Sequence, residues 1–555
     1  MRRVRAGAAA GWALGCFLLI GPLAAQHDWS GGQIERARDL MRTLNEGGVV
    51  RIAFLGDSLT AGWTAWSDTE AYARVFCDAV ALQFPAARVE PVLAGEPGCT
   101  SGQALSRMQN DVIQREPDLL VVQLGGNDKG KGRTGSDLYA DLVAILQTAR
   151  DKTKAPVIVC TPPIVTDANG EPFLHAVRSA AQAQRVALAD FDAALLAWDH
   201  DYRGVYPWER HPGSDVHLVM AKELHNAFCT MLAVPQPLQV SIEPLCQAVA
   251  PGEQFGTRVR IANEGTEPFQ GTATVAYGPA VTCTTVELPP GDETQLPIDL
   301  TAPMKLPGGR TARARLSATV AGGGVAAFDA RWLAVAPLAL VHSVPQASPV
   351  APPAVPTGWR QAIGGDSVVL GYAGWGGPWD LSARFGLACS ATELVVRVEV
   401  RDDEVRPNAF YAPTLADLVE VWFDGRPATT QGRASHSPAV FGVLLAPPDA
   451  RKGSPTSWRT LDALPAGIGT TAASAAPMEG GFRVLAHIPL KALGCQTPDE
   501  LELKGLEVAL DDADSGPRES QAMWAGGPDA FVDASLFGAM TLRPERVGWY
   551  RATVR

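Results

Sequence analysis

Between residues 49 and 190 the chain sets short, nearly continuous apolar runs between stretches of helical periodicity. The runs are 49–55 (VVRIAFL), 87–93 (ARVEPVL), 118–124 (DLLVVQL), 156–160 (PVIVC) and 186–190 (VALAD). Between them lie segments such as 136–150, where Leu138, Leu142, Ile145 and Leu146 recur at the spacing of one buried helical face. Strands without polar alternation are buried on both sides, so the pattern predicts a parallel sheet covered by helices. The prediction is a doubly wound α/β domain over 30–233, closed by a helix whose apolar face is Val216, Met220, Leu224 and Phe228.

Pro235 and Pro237 end this pattern, and strict alternation begins. Segments 257–265 (TRVRIANEG), 271–278 (GTATVAYG), 285–292 (TVELPPGD) and 311–324 (TARARLSATVAGGG) read as short antiparallel strands with Gly, Pro and Asn turns. They predict a β-sandwich of immunoglobulin-like size over 237–336, without a convergent polar cluster, suited to a spacer or structural role. A Pro-rich run at 343–358 reads as an extended linker. Alternation returns at 392–405, 417–425, 481–490 and 503–512, predicting a second all-β module over 358–545.

Composition narrows the function classes. Glycine and proline make up about 18% of the 555 residues, against a usual ~12%. That excess fits turn-rich β modules and is far below a collagen repeat. The net charge of −12 argues against a nucleic-acid partner, which selects a basic face. At the N-terminus, Arg2, Arg3 and Arg5 precede an apolar stretch ending in small residues near Ala25, the pattern of a secretory signal over 1–25. The expected location is secreted, periplasmic or cell-envelope, with an uncleaved anchor as the alternative. No other segment is long and apolar enough to span a bilayer. The cysteines show no zinc-like spacing, and Cys246 with Cys283 is the first candidate for a disulfide.

The chemistry gathers where the parallel strands end. The first strand runs into Gly56-Asp57-Ser58-Leu59, which places a serine hydroxyl on a tight turn between strand and helix, at the edge where open α/β sheets bind ligands. Taken alone, Asp57 or Ser58 reads equally as a helix N-cap. Two more segments fall at the same edge: 94–101 (AGEPGCTS) after the second strand and Gly125-Gly126-Asn127-Asp128 after the third. Glycine lets backbone approach a ligand, and an asparagine amide is a donor to a developing oxyanion. Asp57 reads as a support of the turn rather than a reacting group. A general base is available after the fifth strand, where His211 precedes Pro212 in the loop entering the last helix. His217 lies inside that helix, and the loop position is the better placed. His175, His200 and His225 are expected at the surface.

Taken in order, the strand–GDSL turn, the glycine block, GGND and the HPxxxxH segment before a terminal helix resemble the SGNH (GDSL) hydrolases over about 50–230. The resemblance implies a flavodoxin-like five-stranded sheet and ester hydrolysis through an acyl-enzyme. Ser58 would be the nucleophile and His211 the base, with Ser58 N–H, Gly98 N–H and the Asn127 side chain as oxyanion hole. Two departures stand out. The position three before His211 is Trp208 where the family has Asp, which leaves Glu209 or a backbone carbonyl to orient the histidine. The glycine block begins Leu93-Ala94-Gly95, without the family's asparagine. Neither a metal nor an organic cofactor is required.

The last segment resembles family 9 carbohydrate-binding modules and related DOMON-like sandwiches. Trp375, Trp379, Trp422, Trp458 and Trp524 are candidate sugar-stacking or core residues. An acylated carbohydrate is therefore the expected substrate, with deacetylation of a polysaccharide as the expected reaction. The alternatives are a lipid-directed esterase, lysophospholipase or thioesterase, and a degenerate carbohydrate-binding or scaffold protein.

Overall fold

The computed structural model describes residues 30–63, 65, 68–164, 170–198, 213–243, 248–278, 280–302, 311–343, 361–363, 368–370, 375–406, 417–426, 440–448, 458–460, 472–514, 518–527 and 534–543. The signal segment and most of the Pro-rich run lie outside these residues.

The first domain opens with α1 (Gly31–Glu46) and β1 (Val49–Gly56), followed by α2 (Tyr72–Gln83) and β2 (Arg88–Gly95). Then come α3 (Ser101–Asp111), β3 (Leu119–Gln123), α4 (Gly126–Gly130), α5 (Gly135–Lys152) and β4 (Val157–Cys160). It closes with α6 (Glu171–Gln184), β5 (Ala187–Ala189), α7 (Phe191–Trp198) and α8 (Ser214–Leu232). All five strands are parallel in the order β2-β1-β3-β4-β5, the flavodoxin-like arrangement. Side-chain alternation along β1 feeds two cores. Val50, Ile52 and Phe54 pack toward α1, α2 and α8, while Ala53 and Leu55 pack toward α3, α5 and α6. Local chemistry starts the helices: Thr134 and Asp137 form a reciprocal capping box on α5, ahead of buried Leu138, Leu142, Ile145 and Leu146.

Two sheets build the middle sandwich. One has the order β10-β9-β12-β13-β7, the other β11-β8-β6, from β6 (Leu238–Ile242), β7 (Ala248–Val249), β8 (Gln254–Asn263), β9 (Phe269–Tyr277), β10 (Ala280–Leu288), β11 (Glu293–Thr301), β12 (Ala312–Gly322) and β13 (Val325–Val335). Cys283 is an exposed free thiol on the edge strand β10, 3.6 Å from Thr274 Oγ1; Cys246, the partner expected for it, lies outside the described residues.

This sandwich is docked on the first domain. Ala330 joins the core under α2 and α8, and Gln83 Nε2 donates to the Gly324 carbonyl at 3.0 Å. Buried Asp329 accepts from Lys222 Nζ at 2.6 Å and from the Ile242 amide at 2.8 Å. Removing that carboxylate strands a buried amide and an ammonium at the seam. Asp329→Ala is expected to lower stability by about 3 kcal/mol, measured by urea unfolding, with little change in activity per folded molecule. The same docking corrects the expectation for His225. It is 2% exposed, bonded through Nε2 to Gln83 Oε1 at 2.9 Å, with the Phe328 ring edge-on at 5.6 Å. Burial brings its pKa down to about 4. The surface expected around α8 is covered by a neighbouring domain.

The C-terminal sandwich begins earlier than the Pro-rich run suggests. The strand Leu338–Ser343 pairs parallel with Gly538–Thr541 through its first half and with Leu381–Cys389 through its second. It thereby bridges two layers. One contains Val440–Leu445, Leu418–Asp424 and Gly505–Asp512, and the other Glu393–Asp402, Gly481–Pro489 and Ala472–Met478. Phe385, Val398, Phe423, Phe441, Phe482 and Leu506 fill the space between them.

Candidate active site

The site is built from strand ends in register. Gly56, the last residue of β1, lies opposite Gly95 at the end of β2 and Gln123 at the end of β3. Ser58, Gly98 and Asn127 follow these residues by two, three and four positions, so three sequence-distant groups leave the sheet from one level of one edge. The turn after β1 differs from the expected helix start. The Ala61 amide bonds the Asp57 carbonyl at 3.0 Å and the Trp63 amide the Ser58 carbonyl at 2.9 Å, a helical turn that stops at Gly62 with φ +81°. The next α-helix is α2, beginning at Tyr72.

Close packing fixes this turn. A Cβ on Gly95 would lie 2.3 Å from the Ala61 amide nitrogen, and one on Gly56 would lie 1.9 Å from Thr60 Oγ1. Thr60 Oγ1 bonds the Tyr72 hydroxyl at 2.8 Å and Gln123 Oε1 at 3.2 Å, tying the turn to α2 and β3. Arg107 of α3, held by Asp111 at 2.8 Å, donates to the Gly56 carbonyl at 2.8 Å and the Ala94 carbonyl at 2.7 Å. It clamps the strand carrying Ser58 to the strand leading to Gly98. Sequence reasoning passed over it. The available signal was an arginine set among polar positions on the helix that follows the glycine block.

The segments that carry Gly98 and Asn127 are held in a similar way. Gly98 has φ +76°, a backbone that glycine adopts freely, and its carbonyl accepts from Lys131 Nζ at 2.7 Å. Lys131 directly follows α4, which carries Asn127. Asp128, fully buried, accepts from the Ser101 amide at 3.0 Å and the Ser101 hydroxyl at 2.7 Å, and pairs with Arg133 at 2.9 Å. The Gly98 and Asn127 segments are thus cross-linked twice, through Lys131 and through Asp128.

Asp57 is a structural carboxyl. Its Oδ1 accepts from the Leu59 amide at 3.0 Å. Burial, aided by the charge of Asp128, pushes its pKa up to about 7 against the opposing effect of that bond. The stability supplied by the bound proton is fully present below about pH 4 and is lost as pH rises through about 7. In Asp57→Asn, an amide oxygen can still accept from Leu59 and the titration is gone. The stability gain of this variant over wild type is expected to grow between about pH 4 and about pH 8, approaching about 4 kcal/mol, with kcat within about tenfold. Urea unfolding across that range measures it.

The two histidines separate. His217, the fourth residue of α8, is fully buried, stacks at 7° on the Tyr72 ring and accepts from the Tyr72 amide through Nδ1 at 3.3 Å. It is part of the packing between α2 and α8. His211, Glu209 and Trp208 lie outside the described residues. The helix start three residues after His211 is anchored: Ser214 Oγ donates to buried Glu70 Oε2 at 2.7 Å, on the segment that follows the Ser58 turn.

Of the C-terminal tryptophans, Trp422 and Trp524 are buried in the sandwich, and half-buried Trp375 donates to the Leu381 carbonyl at 3.0 Å. Trp379 is 74% exposed, with the Arg401 guanidinium 4.7 Å from its ring centre. The side chain of Trp458 lies outside the described residues.

Comparison with known proteins agrees on two regions. Residues 54–220 match the GDSL-like Lipase/Acylhydrolase family, and residues 368–545 match the Carbohydrate family 9 binding domain-like family. No curated protein matches the chain. Among solved structures, a two-domain esterase active on acetylated mannans, CEX, is similar at 14% identity and TM-score 0.31, over 49% of this chain and 87% of that one. The acetylxylan esterase Axe2 from Geobacillus stearothermophilus is similar at 20% identity and TM-score 0.30, over 33% and 96%. LAE5, an alpha/beta hydrolase from the metagenome of Lake Arreo, gives 22% and 0.29, over 33% and 95%. The chain thus carries a GDSL-like lipase/acylhydrolase domain and a family 9 carbohydrate-binding-like domain, joined by a β-sandwich docked on the first.

Proposed function

We propose that the protein is an exported serine ester hydrolase that removes acetyl or similar small acyl groups from a polysaccharide. The observation that carries this reading is the alignment of Ser58, Gly98 and Asn127 at one sheet edge on backbone clamped by Arg107. In the proposed reaction His211 takes the Ser58 hydroxyl proton as Oγ bonds to the ester carbonyl carbon. The resulting oxyanion is held by the Ser58 and Gly98 amides and the Asn127 side chain. The C–O bond to the sugar then breaks, and the departing oxygen takes the proton from His211. Water repeats these steps on the acyl-enzyme and releases the acid. Glu209, or a backbone carbonyl, orients His211 in place of the missing aspartate.

The carbohydrate part of the reading is supported by the second matched domain on the same chain. Acetate release from acetylated xylan, compared with hydrolysis of p-nitrophenyl acetate and octanoate, tests it. Faster turnover of acetate esters with release from the polymer is expected. A preference for octanoate favours the lipid-directed alternative. Inertness of Ser58 to a fluorophosphonate together with no turnover would favour a scaffold, the reading that Trp208 raises. Export is tested by N-terminal sequencing of secreted protein, with the mature chain expected to begin soon after Ala25.

A further inference from the structure

We propose that Trp63 is the platform on which the sugar ring of the ester stacks beside Ser58, and so the residue that selects a carbohydrate substrate. The proposal rests on the carbohydrate-ester reading above and names the side chain that would carry it. Trp63 is 53% exposed, the most exposed large apolar side chain of the first domain among the described residues. A single exposed apolar residue is ordinary on a protein surface. What distinguishes Trp63 is its place.

The turn that carries Ser58 ends in a left-handed cap. The Gly62 amide donates to the Leu59 carbonyl at 3.1 Å, and the Trp63 amide donates to the Ser58 carbonyl at 2.9 Å, with Gly62 at φ +81°. In a cap closed by this pair of bonds, the residue after the left-handed one commonly packs its apolar side chain back on the residue whose carbonyl its amide reaches. Here that residue is Ser58. A serine side chain is too small to cover an indole, so the contact that usually closes a helix end leaves an aromatic face open next to the hydroxyl. Ser58 is itself only 5% exposed, and an ester that reaches its Oγ must lie against what surrounds it.

The mount is rigid. Thr60, three residues before Trp63, is buried and bonded to Tyr72 and Gln123, and the Ala61 amide bonds the Asp57 carbonyl at 3.0 Å. A platform held in place before binding costs little further ordering when a ligand arrives. The shape of the surface selects the ligand. A pyranose presents C–H groups on its flat faces and hydroxyls around its edge, and the slightly positive C–H groups suit the negative face of an indole. Such a ring can stack on a half-open indole while its hydroxyls stay in water. A fatty acyl chain gains its affinity from enclosure on all sides, which a half-exposed face does not give.

The test compares acetylated xylo-oligosaccharides with ethyl acetate in wild type, Trp63→Phe and Trp63→Leu, each normalised to the Ser58 that reacts with a fluorophosphonate. The quantity read is the ratio of kcat/KM for the oligosaccharide to kcat/KM for ethyl acetate, whose alcohol is too small to stack. Trp63→Leu keeps apolar surface without a flat face and is expected to lower this ratio about tenfold, mainly through KM. Trp63→Phe keeps a smaller ring and is expected to stay within about threefold of wild type. Because the position is exposed, both variants should melt within about 2 °C of wild type. Turnover of both substrates by wild type, with a ratio unchanged in Trp63→Leu, would overturn the platform and leave the esterase reading standing. Turnover of ethyl acetate alone by wild type would overturn the carbohydrate reading and the platform with it. A loss in Trp63→Leu seen only with p-nitrophenyl octanoate would assign the indole to the acyl chain and likewise overturn the proposal.

Discussion

Ser58→Ala is expected to reduce ester hydrolysis by a factor on the order of 10⁴ or more while leaving the unfolding midpoint within about 1 °C of wild type. The large first effect follows from covalent catalysis, since without Oγ no acyl-enzyme forms and only the oxyanion donors remain. The small second effect follows from where the turn draws its stability. Thr60, Arg107 and the Leu59–Asp57 bond hold the backbone, and none of these contacts uses the Ser58 hydroxyl. Hydrolysis of p-nitrophenyl acetate beside a thermal melt separates the two quantities. Loss of activity accompanied by a large fall in Tm would mean that the serine acts on the fold.

Gly95→Ala is expected to cost about 2 kcal/mol in stability and about a hundredfold in kcat. The added methyl would lie 2.3 Å from the Ala61 amide nitrogen and 2.7 Å from the Thr60 carbonyl carbon, both backbone atoms of the turn that carries Ser58. Backbone at that distance has no rotamer to change, so either the turn or the end of β2 must shift by an ångström or more. Overpacking of this kind costs about 1–3 kcal/mol, and a 1 Å displacement of a reacting group costs on the order of a hundredfold in rate. Gly130→Ala is the control, because a Cβ there meets nothing within 4 Å. Kinetics on a small ester with urea unfolding of both variants checks the pair. Equal effects in the two would remove the packing explanation.

The parallel sheet was legible because its central strands β3 and β4 are buried on both faces and so nearly continuously apolar, while the edge strand β2 is only partly covered and carries Arg88 and Glu90. The apolar face of α8 was legible for the same reason, with Val216, Met220, Leu224 and Phe228 all fully buried. What escaped depends on contacts between distant segments. His225 is buried by a domain whose docking no local pattern announces. Arg107 and Asp128 matter through the backbone groups they reach, and the spacing of charges along a helix does not reveal such targets. The expected helix after Ser58 failed at Gly62, whose left-handed backbone ends the turn. Residues 338–343 fall before the module predicted over 358–545, but they pair with strands about 50 and 200 residues further on.

The central claim is that Ser58 carries the acyl group and that His211, rather than the packed His217, moves its proton. The most direct measurement is mass spectrometry of protein quenched during turnover of p-nitrophenyl acetate, in wild type, His211→Ala and His217→Phe. The account predicts an acetyl group on the Ser58 peptide in wild type and in His217→Phe, and almost none in His211→Ala. Acetylation that survives in His211→Ala and vanishes in a folded His217→Phe would contradict it.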